Sequence, residues 1–175
     1  MNMKKLLLLS LNALLIFFSS TTMGAETAAP TDAEQVAGVQ KMCTDATIAI
    51  QKRQAEKSLF DRLGGDERIT VLARKIIEAH QKNPKISPMF ARIDTPKVIQ
   101  HVAEFLVVGT GGKGAYTGKD MVSVHRNLNI SNGDFLAAGG DVQAVMKDMS
   151  YGENEIQEIV CALTSFVPVV VVAKQ

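Results

Sequence analysis

Residues 109–125 read Gly109-Thr110-Gly111-Gly112-Lys113-Gly114-Ala115-Tyr116-Thr117-Gly118-Lys119-Asp120-Met121-Val122-Ser123-Val124-His125. The first six match the G-x-G-x-x-G spacing of dinucleotide-binding loops letter for letter. That fingerprint needs a strand before it and a helix opening after it, so that backbone N–H groups meet a pyrophosphate. Here the glycines follow a helix-period stretch and lead into Ala115-Tyr116-Thr117-Gly118, so no nucleotide site is expected. The segment reads as a glycine break followed by a short helix marked by Met121, Val124, His125 and Leu128.

Upstream, Val98, His101, Val102, Phe105, Leu106 and Gly109 recur along one helical face, and Thr95-Pro96 makes a cap and first helical residue. Ile69, Leu72, Ala73, Ile76, Ile77 and His80 predict another helix, ended by Asn83-Pro84. A short turn, Ser58 to Leu63, stops at Gly64-Gly65. Earlier still, Thr31 and Glu34 form a capping box for a stripe of Val36, Val39, Cys43, Ala46 and Ile50, with a polar stretch, Gln51 to Lys57, after it. Downstream, Ser131 to Asp134 opens a helix. Glu153 to Val167 carries Ile156, Ile159, Val160, Leu163 and Val167 on an apolar side, with Val169 to Val172 read as its end. No internal repeat is visible. The expected class is all-α, with five to seven helices.

The chain of 175 residues, 46% hydrophobic and 21% charged, suits one domain with its own core. Disordered, collagen-like and disulfide-framework classes are excluded by this composition. A net charge of +1 gives no electrostatic footprint for nucleic acid. Lys4 and Lys5, an apolar run from Leu6 to Phe18 and a small-residue exit read as a secretory signal peptide, residues 1–25, cleaved near Ala25. The apolar run is shorter than the roughly 20 residues a membrane span needs. Cleavage removes two lysines and no acid, leaving 17 basic against 18 acidic residues, about −1. An exported, periplasmic protein without stable membrane insertion is expected.

The histidines carry the chemistry. His80, His101 and His125 each fall on the apolar face of a predicted helix. Imidazole is neutral near physiological pH and a strong metal ligand. Two such groups on otherwise aliphatic helices suit a large apolar cofactor carrying a metal, as haem does. A three-histidine zinc site is the rival, and it fits less well because Ile and Val stand where zinc would want polar support.

The segment Leu59-Phe60-Asp61-Arg62-Leu63-Gly64-Gly65 resembles the opening of truncated haemoglobins, in particular their first group. Phe90-Ala91-Arg92-Ile93-Asp94 is similar to the family too, and Gly111 to His125 matches its glycine-pair, Tyr-x-Gly, Met-x-x-x-His pattern without a gap. The resemblance covers Ser58 to Pro168. It implies a two-over-two helical sandwich around one haem b, with residues 58–175 as the globin domain and residues 26–57 as a linker and helical extension. Carried over by position, His125 is the proximal ligand, and Phe90 packs on the porphyrin. Val98, Val102, Phe105 and Met121 line the pocket, while Lys97 and Tyr116 meet the propionates. Gly64-Gly65 and Gly111-Gly112 are implied hinge glycines.

The distal side departs from the family. Its usual Tyr falls on Ile77, and its Gln positions fall on Val98 and Val102. Such polar groups stabilise bound O2 by about 1 to 3 kcal/mol, roughly ten- to hundredfold in dissociation. An aliphatic wall therefore argues against long-lived O2 storage but leaves CO and NO binding unhindered. At the position of His101 some relatives place a histidine that ligates iron from the distal side, which implies an alternative bis-His protein for electron transfer or redox sensing. His80 matches an aliphatic position and is read as packing. The implied partners are diatomic gases (O2, NO, CO); oxidation of NO to nitrate would add an unidentified reductase. Export permits a disulfide between Cys43 and Cys161, yet the residues lean towards two independent buried thiols.

Overall fold

Capping residues and glycines cut the chain into its elements. The computed structural model describes residues 28–172; the expected signal peptide lies outside the described residues. Helix α1 (Asp32–Glu56) opens on the expected box, in which Thr31 Oγ1 accepts the Glu34 N–H at 3.3 Å and Glu34 Oε2 accepts the Thr31 N–H at 2.7 Å. It runs on through the polar stretch expected to follow it, because Arg53 and Gln54 reach across to Glu158. Helix α2 (Leu59–Leu63) stops at Gly64, whose φ of +95° is left-handed and favours glycine. Helix α3 (Gly65–Lys82) buries the six residues its spacing placed on one face, Ile69 through His80, and ends at Asn83.

A 3-10 turn at Ser87–Phe90 leads to α4 (Thr95–Gly109). Its cap is Asp94 rather than Thr95. The Asp94 carboxylate accepts the Lys97 N–H at 3.2 Å, and the Thr95 hydroxyl instead accepts from Gln81 Nε2 at 2.9 Å. Helix α5 (Met121–His125) is short, α6 (Asn132–Asp148) starts on a Ser131–Asp134 capping box, and α7 (Glu153–Thr164) closes the core. The last element, α8 (Val167–Val170), is separate from α7 rather than its continuation. Pro168 lacks an N–H, and its ring would clash with the carbonyl of Thr164 in a continuous helix. That break makes eight helices among the described residues, one beyond the expected range; no strand forms among them.

Helix α3 packs on α4, α6 packs on α7, and α3 crosses onto α6, two pairs stacked as a two-over-two sandwich. Leu63, Ile69, Leu72, Met146 and Ile159 are fully buried between them, each worth about 1.5–3 kcal/mol relative to exposure. Helix α5 rests on α8, and α1 lies outside against α6 and α7. Among the described residues no helix is long and apolar enough to cross a membrane.

Two connections weld α1 to the sandwich. Cys43 and Cys161 form a disulfide with Cα atoms 5.3 Å apart, which corrects the expectation of two independent thiols: α1 and α7 bring them together across 118 residues of sequence. Glu158, its side chain fully buried, accepts from Arg53 Nε at 2.6 Å, Arg62 Nη2 at 2.6 Å and Gln54 Nε2 at 3.0 Å.

Gly112 sits where a Cβ would meet the Phe60 ring at 2.6 Å and Val107 at 2.8 Å. Gly112→Ala is therefore expected to cost about 1–3 kcal/mol by overpacking. Urea denaturation that leaves the midpoint unchanged would show that Phe60 yields freely.

Candidate functional site

Asp120 starts α5 by accepting the Ser123 N–H at 2.9 Å and its hydroxyl at 2.6 Å, bonds that hold the Asp120 carboxyl below its ordinary range. One helical turn later the His125 ring is fixed. Its Nδ1 lies 2.8 Å from the Met121 carbonyl oxygen. A carbonyl only accepts, so Nδ1 carries the proton and Nε2 keeps its lone pair for a ligand.

Helix α4 supplies the second imidazole. His101 is half-buried, and its Nδ1, shielded from solvent, has no hydrogen-bond partner. Glu104 Oε2 stands 3.7 Å away, beyond hydrogen-bond range. Glu104 itself accepts the Thr117 N–H at 2.9 Å, the Thr117 hydroxyl at 2.7 Å and the Gln100 amide at 2.8 Å. Those three bonds, the Thr117 N–H foremost, hold its carboxyl below the usual range.

Phe105 stands next to the second of these groups, through Tyr116. Its ring meets the edges of Tyr116 at 5.9 Å and Phe166 at 5.5 Å, while Tyr116 meets His101 at 6.1 Å. The Tyr116 hydroxyl donates to the Lys119 carbonyl at 2.7 Å, and burial, with the charges of Glu104 and Asp120, pushes its pKa up. Val98, Val102 and Met121 are half-buried, and Lys97 is exposed. Ile77 is buried in α3 but outside the contiguous core cluster. Phe90 closes the 3-10 turn, its ring 5.5 Å from His80.

His80 does more than pack. Its Nδ1 lies 2.9 Å from Asp141 Oδ2, and Asn83 Nδ2 donates to the same carboxylate, so the pair ties the end of α3 to α6. Among the described residues no three His, Cys, Asp or Glu side chains converge on a metal position. The three histidines stand apart, His80 with Asp141 where α3 meets α6, His101 on α4 and His125 on α5, so the cluster that the zinc alternative needs does not form among the described residues.

Sequence reasoning missed Phe166, Glu104 and Asp141. Glu104 had a signal, since a carboxylate three residues after a helical histidine shares its face. Phe166 had none, because it sits at the α7–α8 break that the apolar run conceals. Two clefts, of about 390 and 440 Å3, are present: one along α4 and the glycine loop, lined by Ile99, Ala103, Glu104 and Val107, the other along the α1–α7 seam beside the disulfide.

One imidazole with a committed Nε2, a second with an unpartnered Nδ1 and the half-buried rings of Phe90, Phe105 and Phe166 fit a flat apolar group carrying iron. Solved structures share the fold. The truncated hemoglobin of Tetrahymena pyriformis in its Fe(III) form superposes with a TM-score of 0.64 at 19% identity, covering 67% of this chain and all of that one. The 2/2 hemoglobin of Synechococcus sp. PCC 7002, described in the cyanomet state with covalently attached heme, gives 0.57 at 21% identity, covering 61% of this chain and 89% of that one. A helical sandwich of this kind is the truncated globin fold.

Residues 58–170 match the bacterial-like globin family, and the chain belongs to it. Among curated relatives it is similar to the group 1 truncated hemoglobin of Tetrahymena pyriformis, 22% identical over 102 residues, 58% of this chain and 84% of that one. A group 1 truncated hemoglobin of Chlamydomonas moewusii is 23% identical over 122 residues, 69% of this chain and 71% of that one.

Proposed function

We propose that this globin binds a diatomic gas, O2 or NO, at the iron of haem b, with His125 as proximal ligand. The observation that carries the reading is the His125 Nδ1 bond to the Met121 carbonyl, which leaves Nε2 as the only ring nitrogen able to bind iron. When bound, the haem supplies an iron centre able to hold a small ligand. Asp120 and Ser123 brace the helix that presents His125, Phe90 and Phe105 offer flat apolar faces, and Lys97 and Tyr116 stand for the propionates. Ile77, Val98 and Val102 make the distal wall aliphatic and exclude water.

Absorption spectra of the haem-loaded protein, ferric and dithionite-reduced, with and without CO, test this. A Soret band that shifts with CO is expected; no Soret band after haem addition would overturn the reading. Ile77→Tyr is expected to slow O2 release roughly ten- to hundredfold, because a hydroxyl in a dry pocket adds about 1–3 kcal/mol. An unchanged release rate in stopped flow would place Ile77 away from the ligand.

A second reading has its own observation. The buried, unpartnered Nδ1 of His101 marks an imidazole that packing alone leaves unsatisfied, and ligation by His101 would suit electron transfer or redox sensing. Low-spin six-coordinate spectra that become five-coordinate in His101→Leu would support it.

Export and a periplasmic location belong to the same proposal, supported by the leader-like residues 1–25 and by the Cys43–Cys161 disulfide, which persists in oxidising compartments. Conversion of NO to nitrate would require an unidentified reductase.

A further inference from the structure

We infer that Glu104 is a positioning residue for His101: its carboxylate accepts the Nδ1 proton and thereby leaves Nε2 free to face the iron, resting on the second reading, in which His101 is the sixth ligand.

The acceptor count points to it. A carboxylate offers about four lone-pair sites. Glu104 uses three, two on Oε2 for Thr117 and one on Oε1 for Gln100. His101 Nδ1 is the one buried side-chain polar atom without a partner among the described residues, and it lies 3.7 Å from Oε2. The open site is therefore on Oε1, the other oxygen of the same carboxylate, and a small rotation of the imidazole and the carboxylate brings Nδ1 to it. The fourth site and the orphaned nitrogen then satisfy each other. Tyr116, edge-on to the imidazole at 6.1 Å, limits the ring from one side.

An imidazole that donates Nδ1–H to a carboxylate keeps a single tautomer and presents a more basic Nε2 to a metal. The same Glu104 grips Thr117, in the loop that delivers α5 and His125. One carboxylate therefore links the two elements that carry the two imidazoles.

The test uses the full chain, haem-loaded and haem-free, in wild type, Glu104→Leu, Glu104→Gln, Thr117→Val and His101→Leu. In the haem-free protein, 15N shifts are expected to report the Nδ1–H tautomer of His101 in wild type and its loss in Glu104→Leu. In the loaded ferric protein, Glu104→Leu is expected to lose most of the low-spin signal by electron paramagnetic resonance, and its ferrous form to combine with CO at least tenfold faster. Glu104→Gln keeps the low-spin form, since an amide oxygen still accepts the proton, but at a more positive midpoint potential. Thr117→Val keeps it as well.

A low-spin signal unchanged in Glu104→Leu and Glu104→Gln, with an unchanged potential, would overturn the role of Glu104 alone. Equal loss in Glu104→Leu and Thr117→Val would reduce Glu104 to a loop anchor and overturn it too. A wild type indistinguishable from His101→Leu would overturn the bis-His reading itself, and the inference with it.

Discussion

Replacing His125 by glycine is expected to abolish stable haem binding, with imidazole added to the solution restoring it. The expectation follows from how little else in the site offers a donor. His125 is the histidine whose tautomer the backbone fixes, through Met121, with Nε2 left for iron. Loss of a group that merely orients a metal ligand costs about 10–100-fold in affinity, so loss of the ligand itself should accelerate haem transfer to an acceptor globin by on the order of a hundredfold or more. The cavity left by the ring admits free imidazole, and spectra should return towards wild type as it is added. His125→Gly protein that holds haem with an unaltered ferrous spectrum would remove His125 from the iron and move the proximal role to another residue.

The largest structural loss is expected from Glu158→Ala. That change strips the acceptor from Arg53, Arg62 and Gln54 in a buried setting. Removing one partner from a buried ionic cluster costs about 3–5 kcal/mol, because the charges left behind stay desolvated. For a domain of this size that lowers Tm by roughly 10 °C. A drop below about 2 °C would show that water or Glu155 takes over the two guanidiniums.

The same residue makes stability depend on pH. Burial pushes the Glu158 carboxyl up, but the hydrogen bonds from Arg53, Arg62 and Gln54 and the charge of Arg62 outweigh it and hold the group below the usual 4.5. With the folded value depressed, its contribution is present above the unfolded value and is lost as pH falls through the folded one. Urea midpoints of wild type should therefore fall below pH 4.5 more steeply than those of Glu158→Gln, which cannot titrate.

The helices were legible because their faces repeat. Ile69 to His80 gave α3 at the right spacing, and the Thr31–Glu34 box gave the start of α1, since both are local patterns. Legibility failed where distant elements decide. Asp94 displaced Thr95 as cap because Gln81, on another helix, engages the Thr95 hydroxyl. Pro168 split an apolar run that periodicity alone reads as continuous. The site divided in the same way. His125 stood out by its motif and Phe105 by its place on the α4 stripe, whereas Phe166 and the Asp141 partner of His80 emerge only when α7–α8 and α6 fold back. Two cysteines 118 residues apart carried no local mark of pairing.

That pairing has a consequence for how the molecule meets proteases. The covalent ring closed by Cys43 and Cys161 contains Phe90, His101, Phe105, Tyr116 and His125. A single cut anywhere inside it leaves two fragments that cannot separate. Lys113 and Lys119, both exposed in the loop between α4 and α5, offer trypsin such a cut. Nicked there, the protein should run as one band without reductant and as two with it, while the two halves of the site stay tethered at the concentration of an intact chain.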